Sequence, residues 1–185
     1  MMGNMIFFFF GIGLMLGSVR GQEATKPDVW ERFQYFVGTW EGHETGKAGI
    51  GRGARTYRFI LGQQFLLSQT TSRFEPQERN PKGEVHEDRL VISYDREKKN
   101  FMARGFFIEG YVIRYALHPG PGAEGRLVFL SEAVENGAQL RVRLTYQIQN
   151  HDEFEEIFEM ASGDKEFQVF IRNFWTRQKS QTSGS

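Results

Sequence analysis

The chain has 185 residues, 23 Lys and Arg against 23 Asp and Glu, no cysteine, and 18 Phe within an aromatic content of 15%. That length bounds one domain with a removable leader, and the balanced charge gives no electrostatic reason to bind nucleic acid or an anionic membrane surface. The absence of cysteine excludes disulfides, a lipid-anchored cysteine, thiolate metal sites and cysteine nucleophiles, and no Asn-x-Ser/Thr sequon is present.

Residues 1–21 read as a secretory signal. Met5 to Leu16 is apolar, and Val19 and Gly21 supply small residues three and one positions before a cut at Gln22. The apolar run is shorter than the ~20 residues a bilayer span needs. Met1 to Asn4 carries no Lys or Arg, so an uncleaved tether is the competing reading. The expectation is an exported protein, periplasmic or secreted, with no stable membrane insertion once the leader is gone. Loss of Arg20 leaves a formal charge of −1.

Residues 22–27 form a polar linker. Asp28 can cap a short helix that places Trp30, Phe33 and Val37, or Tyr35 and Phe36, on one side. Such a helix is marginal alone and must pack on something, the natural target being the end of a barrel. Phe36-Val37-Gly38-Thr39-Trp40-Glu41-Gly42 follows: a Gly for a tight turn and a Trp to plug the barrel.

Period-two alternation then runs to the end. It predicts strands at 39–44, 55–61, 64–74, 86–94, 100–108, 111–117, 126–133, 139–149, 153–161 and 166–177. Turn signals separate them, among them Asn80-Pro81-Lys82-Gly83, Glu109-Gly110, His118-Pro119-Gly120-Pro121-Gly122 and Glu135-Asn136-Gly137. Ten short strands with tight turns imply an all-β, ten-stranded antiparallel up-and-down barrel over residues 28–178, with a short N-terminal helical cap. The polar tail 179–185 is expected to fray. The Gly-rich segment Gly42 to Gly53 lacks the Ser/Thr and helix that a phosphate loop needs, and is expected to be a mobile lid or linker.

Pairing arithmetic assigns faces. If Gln149 pairs with Glu153, then Ile148 faces Phe154, Leu144 faces Phe158 and Val142 faces Met160, while Arg143 meets Glu159 on the other side. Tyr146 then opposes Glu156 on the apolar face, where a carboxylate must be paired, hydrogen-bonded or protonated. If Glu109-Gly110 is a two-residue turn, Arg104 faces Tyr115, and its guanidinium fork either enters the lumen, to hold an anionic head group or neutralise Glu156, or points outward and snorkels over a neighbour.

His86-Glu87-Asp88 joins an imidazole to carboxylates, with His86 and Asp88 on one face of a strand. His43, His118 and His151 are scattered, no HxH or HExxH spacing exists, and no Gly-x-Ser-x-Gly elbow is present, so neither a metal site nor a serine nucleophile has support.

The Phe36 to Gly42 opening resembles that of the calycin-type barrels, which include nitrobindins and fatty-acid-binding-like proteins. Tyr57-x-Phe59-Ile60-Leu61-Gly62-x-x-Phe65-Leu66 is similar to the bacterial family DUF1579. So are Asn80-Pro81-x-Gly83-x-x-His86-Glu87-Asp88, Ser93-Tyr94-Asp95 and Arg104-Gly105-Phe106-x-x-Glu109-Gly110-Tyr111-Val112-x-x-Tyr115. The likeness covers about residues 30–178 and implies a lipocalin-like, ligand-holding barrel with no settled reaction. The nitrobindin likeness implies haem on a late-strand His, but Glu166 to Arg172 holds none, so no cofactor is expected.

The expected function is binding of one small, mostly apolar ligand, with an anionic head allowed, in the lumen. The expected site is Trp40, Tyr57, Phe59, His86, Arg104, Glu109, Tyr115, Tyr146 and Glu156. The alternatives are a small barrel isomerase or hydrolase using His86, Glu87, Arg104 and Glu109, or a haem barrel. A small hydrophobic or amphipathic molecule is the expected partner, and a homodimer is allowed.

Overall fold

Wherever the sequence alternates, one face of the strand collects aromatic and aliphatic side chains and the other the charges, so the sheet must cover its apolar face. It does so by closing on itself. The computed structural model describes residues 28–119 and 125–179. The predicted leader and linker, part of the 118–122 turn and nearly all of the tail lie outside the described residues.

The strands are β1 (Gly38–Gly46), β2 (Gly49–Ile60), β3 (Phe65–Phe74), β4 (Glu84–Asp95), β5 (Asn100–Phe107), β6 (Val112–Leu117), β7 (Arg126–Glu135), β8 (Leu140–Asn150), β9 (Glu153–Ser162) and β10 (Gln168–Arg177). Each pairs antiparallel with its sequence neighbours, and β1 pairs with β10 to close the barrel. The predicted fold class is the observed one.

The helix α1 spans Glu31–Gln34, a single turn, shorter than the helix expected to run from Asp28 to Val37. The chain continues in i→i+3 turns, with Phe36 and Val37 amides donating to the Phe33 and Gln34 carbonyls. This tighter path drives Trp30, Phe33 and Phe36 into one end of the barrel, all buried. Trp30 stands edge-on to Phe59 and Phe101, with centroids 5.3 and 5.1 Å away. Gly38, at φ +128°, turns the chain into β1. Two residues later the buried Trp40 indole N–H donates to the Phe36 carbonyl at 2.7 Å, locking the plug to the strand. The barrel is therefore sealed at the α1 end.

Two expectations are corrected. The segment Gly42 to Gly53 is no lid. It is the β1–β2 hairpin, paired in continuous register from Gly38↔Tyr57 to Gly46↔Gly49. Its glycines are there for space: a Cβ on Gly53 would lie 2.6 Å from the Trp175 ring, and one on Gly51 would lie 2.6 Å from the Phe74 ring. Small residues admit large neighbours across the sheet, and a sequence window sees the glycine without the neighbour.

The second correction concerns β5 and β6. Arg104 pairs with Arg114, and Ala103 is the residue opposite Tyr115. The turn holds three residues, Ile108 to Gly110, closed by Phe107 N–H to Tyr111 O and by Gly110 N–H to Phe107 O, with Gly110 at φ +86°. A three-residue hairpin with its glycine in the left-handed region shifts the register by one, and that reverses the face of every side chain. Arg104 is exposed on the outside of the barrel.

The β8–β9 register is as expected from Leu140↔Ser162 to Ile148↔Phe154, with Tyr146 opposite Glu156. An irregularity between Ile148 and Asn150 then makes Asn150 the partner of Glu153, in place of Gln149.

Candidate functional site

Above the aromatic floor the barrel encloses a cavity of about 420 Å³ that opens between the turns opposite α1. Its wall is mostly apolar: Leu90, Phe107, Ile113, Val134, Val142, Leu144, Phe158 and Met160 all contribute.

Between floor and cavity runs a belt of polar side chains, one or more from most strands. Arg55 on β2 is its hub and is 5% exposed. The strict alternation of β2 from Gly49 sends positions 49, 51, 53, 55 and 57 inward. The Arg55 guanidinium grips both oxygens of the buried Glu156: Nη1 pairs with Oε2, and Nη2 donates to Oε1 at 2.9 Å. Its Nε donates to Thr70 Oγ1 at 2.8 Å, its Nη1 also to the Tyr57 hydroxyl at 3.1 Å, and its face lies 4.1 Å from the Trp175 ring centroid. Asn173 Nδ2 donates to Glu156 Oε1 at 2.9 Å. A bidentate, stacked and fully buried arginine of this kind serves the fold first, since either partner alone would leave an uncompensated charge.

The remaining acids of the belt have no such partner. Glu44 is buried and accepts one hydrogen bond, from Ser72 Oγ at 2.6 Å. Burial pushes its pKa up, opposed by the Ser72 hydrogen bond and the Arg55 charge. Asp88 is also raised, by burial first; Arg55 and a hydrogen bond from Thr70 oppose this, and the Glu156 charge adds to it. With Glu156, that makes three carboxylates around one guanidinium.

Tyr115 lies beside them, 0% exposed, its hydroxyl without a hydrogen-bond partner. Burial, then the charges of Glu156 and Asp88, raise its pKa well above the usual phenol value, so it stays a neutral hydroxyl. An unpaired buried hydroxyl costs about 1–3 kcal/mol.

At the mouth, His86 is held from both sides. Its Nε2 is 3.1 Å from Glu84 Oε1 and its Nδ1 is 2.6 Å from Glu109 Oε1. Burial lowers its pKa, but the hydrogen bond to Glu84 and the charges of Glu109 and Glu84 outweigh this, and the net direction is up.

Of the nine expected residues, His86, Glu109, Tyr115, Tyr146 and Glu156 line the cavity. Trp40, Tyr57 and Phe59 belong to the floor beneath it, part of the core rather than the wall. Arg104 is outside. The enzyme alternative keeps its His86–Glu109 contact, whereas Glu87 is exposed, one position out of phase with His86 and Asp88. Sequence reasoning missed Arg55 although the predicted strand 55–61 began there, because an arginine was not expected on the inward face of that strand. Read from Gly49, the alternation that sends Tyr57 inward also sends Arg55 inward. The donor set does not fit a haem: β10 has no His, and both ring nitrogens of His86 face glutamates.

No protein-family model and no curated protein matches the chain. Among solved structures, Rv2717c from M. tuberculosis superposes with a TM-score of 0.58 at 12% identity, covering 81% of this chain and 97% of that one. A redesigned β barrel gives a TM-score of 0.37 at 10% identity over 79% and 94% of the two chains. A protein of unknown function from the DUF3598 family of Nostoc punctiforme PCC 73102 gives 0.29 at 8% identity over 83% and 100%. Of these three, only the first is near enough to carry an argument, and at its identity the shared property is architecture. The chain has a fold similar to that of Rv2717c.

Proposed function

We propose that this protein binds one small, mostly apolar molecule in the lumen of its barrel. The observation that carries the reading is a cavity of about 420 Å³, closed by the aromatic floor at one end and open at the other, with an apolar wall and a polar belt at its base. Pockets of this size and composition are the usual home of a single small ligand. An anionic head group loses its support: the arginine expected to receive it is outside, and Arg55 is committed to Glu156.

Kinship with DUF1579 and the calycin barrels stays part of the proposal. Of the segments that carry the likeness, His86, Glu109 and Tyr111 line the cavity. Export, without stable membrane insertion, is also proposed. In its favour, charges such as the Arg143–Glu159 pair lie on the outer face, where a membrane barrel carries an apolar band.

Native mass spectrometry of protein prepared gently from a natural host tests the reading. A single small molecule released on denaturation is the expected result; uniformly ligand-free protein that binds no apolar probe would overturn it. The His86–Glu109 contact at 2.6 Å favours acid–base chemistry at the mouth as a second reading. Turnover of the identified ligand by the wild type but not by His86→Gln would select it.

A further inference from the structure

Resting on the lumen reading, the chemistry of the polar belt narrows the ligand class. Three carboxylates, Glu44, Asp88 and Glu156, reach the base of the cavity, and Arg55 neutralises only Glu156. Acidic clusters alone prove nothing, but Tyr115 adds an independent observation. Tyr115 lines the same cavity, and its fully buried hydroxyl has no partner on the protein. A tyrosine oxygen left unpaired beside ionisable acids is placed to accept a hydrogen bond from a donor that arrives with the ligand.

We propose that the base of the lumen is a receptor for a protonated amine, the ammonium of an amphipathic ligand being held by the Asp88 carboxylate and the Tyr115 hydroxyl, in the field of Glu44 and Glu156. The hydrocarbon part then lies along Ile113, Val142, Leu144 and Phe158 toward the mouth. A bare metal ion is a poorer occupant, since among the described residues no three His, Asp or Glu side chains are grouped to hold one. A carboxylate head is worse still, because it would add a fourth negative charge beside three carboxylates.

The charged and titratable groups around Asp88 are Arg55, Arg89, Glu44, Glu156 and Tyr115, with the Thr70 hydroxyl beside it; burial together with Glu156 outweighs the cations, so its proton affinity is raised. An ammonium reverses that balance. Amine binding should therefore expel any proton that the belt holds and weaken as pH falls.

The test is isothermal titration of the full chain with octylamine, octanol and octanoate at pH 7.5. Charge-assisted hydrogen bonds are worth enough for octylamine to bind about tenfold tighter than octanol, and octanoate should bind more weakly than either. Asp88→Asn should bring octylamine to roughly the octanol affinity. If that variant does not fold, Tyr115→Phe and a wild-type series from pH 7.5 to 5 make the same distinction, both lowering the amine preference. Octanoate equal to or tighter than octylamine would overturn the amine assignment, as would a preference indifferent to Asp88, Tyr115 and pH. With octanol still bound, the lumen reading would survive. No binding of any of the three, octanol included, would overturn the lumen reading as well.

Discussion

Arg55 and Arg104 differ little as letters in a sequence, yet their energetic weights are far apart. Arg55 is buried against Glu156, Thr70, Tyr57 and Trp175. Removing it leaves Glu156 buried with Asn173 as its remaining donor. Arg55→Met should therefore destabilise the fold by about 3–5 kcal/mol, and adding Glu156→Leu should restore much of that loss, because both charges then leave together. Arg104→Met, on the outside, should stay within about 0.5 kcal/mol of wild type. Urea denaturation of the four proteins decides the matter. A mild Arg55→Met, or an Arg104→Met as damaging as Arg55→Met, would mean the belt is not organised as described.

Elements explain why neither arginine was placed correctly from the sequence. The β8–β9 hairpin could be read from the sequence because its apolar partners line up across it, and an irregularity between Ile148 and Asn150 absorbs the difference at the turn. The β5–β6 hairpin could not, because Glu109-Gly110 suits a two-residue turn and a three-residue turn equally, and the choice between them flips Arg104 from lumen to solvent. The β1–β2 hairpin was hidden for another reason. Its glycines read as a flexible loop, whereas they clear room for Trp175 and Phe74, which come from β10 and β3. Five of the nine expected site residues nevertheless line the cavity, Tyr146 and Glu156 among them because β8 and β9 keep their period.

One inter-element contact carries a pH signature. His86 on β4 grips Glu109 in the β5–β6 turn, and its folded pKa is raised above the ordinary value of 6.5. A raised histidine stabilises the fold fully below about pH 6.5 and loses that contribution as pH climbs through the folded value. The penalty of His86→Gln should thus be greatest near pH 5.5 and shrink toward pH 9, and it should be modest because the pair is part exposed. Urea midpoints across that range test it; a penalty that grows with pH would show that His86 is held neutral.

At the scale of the whole molecule, the barrel has one sealed end and one open one, and this asymmetry follows from a few side chains. Trp30, Phe33 and Phe36 fill the α1 end, while the opposite turns leave the cavity open. The last strand then makes the structure whole. β10 pairs with both β9 and β1, and Arg177 Nη1 donates to the Val37 carbonyl, 140 residues away in the chain, at 2.9 Å. Drawing together ends that far apart costs roughly 4 kcal/mol of loop-closure entropy, which local hairpins do not meet. A chain ending before Gln168 keeps two bare edges and loses Trp175 from the core, and it should show neither a cooperative thermal transition nor protected amides. A folded, cooperative truncation would contradict this. During synthesis, then, the ribosome delivers eight or nine strands of hairpins before the seam can be made. Until β10 emerges the nascent chain remains unclosed, a state that a translocation channel can still thread and that, left waiting, exposes strand edges to its neighbours.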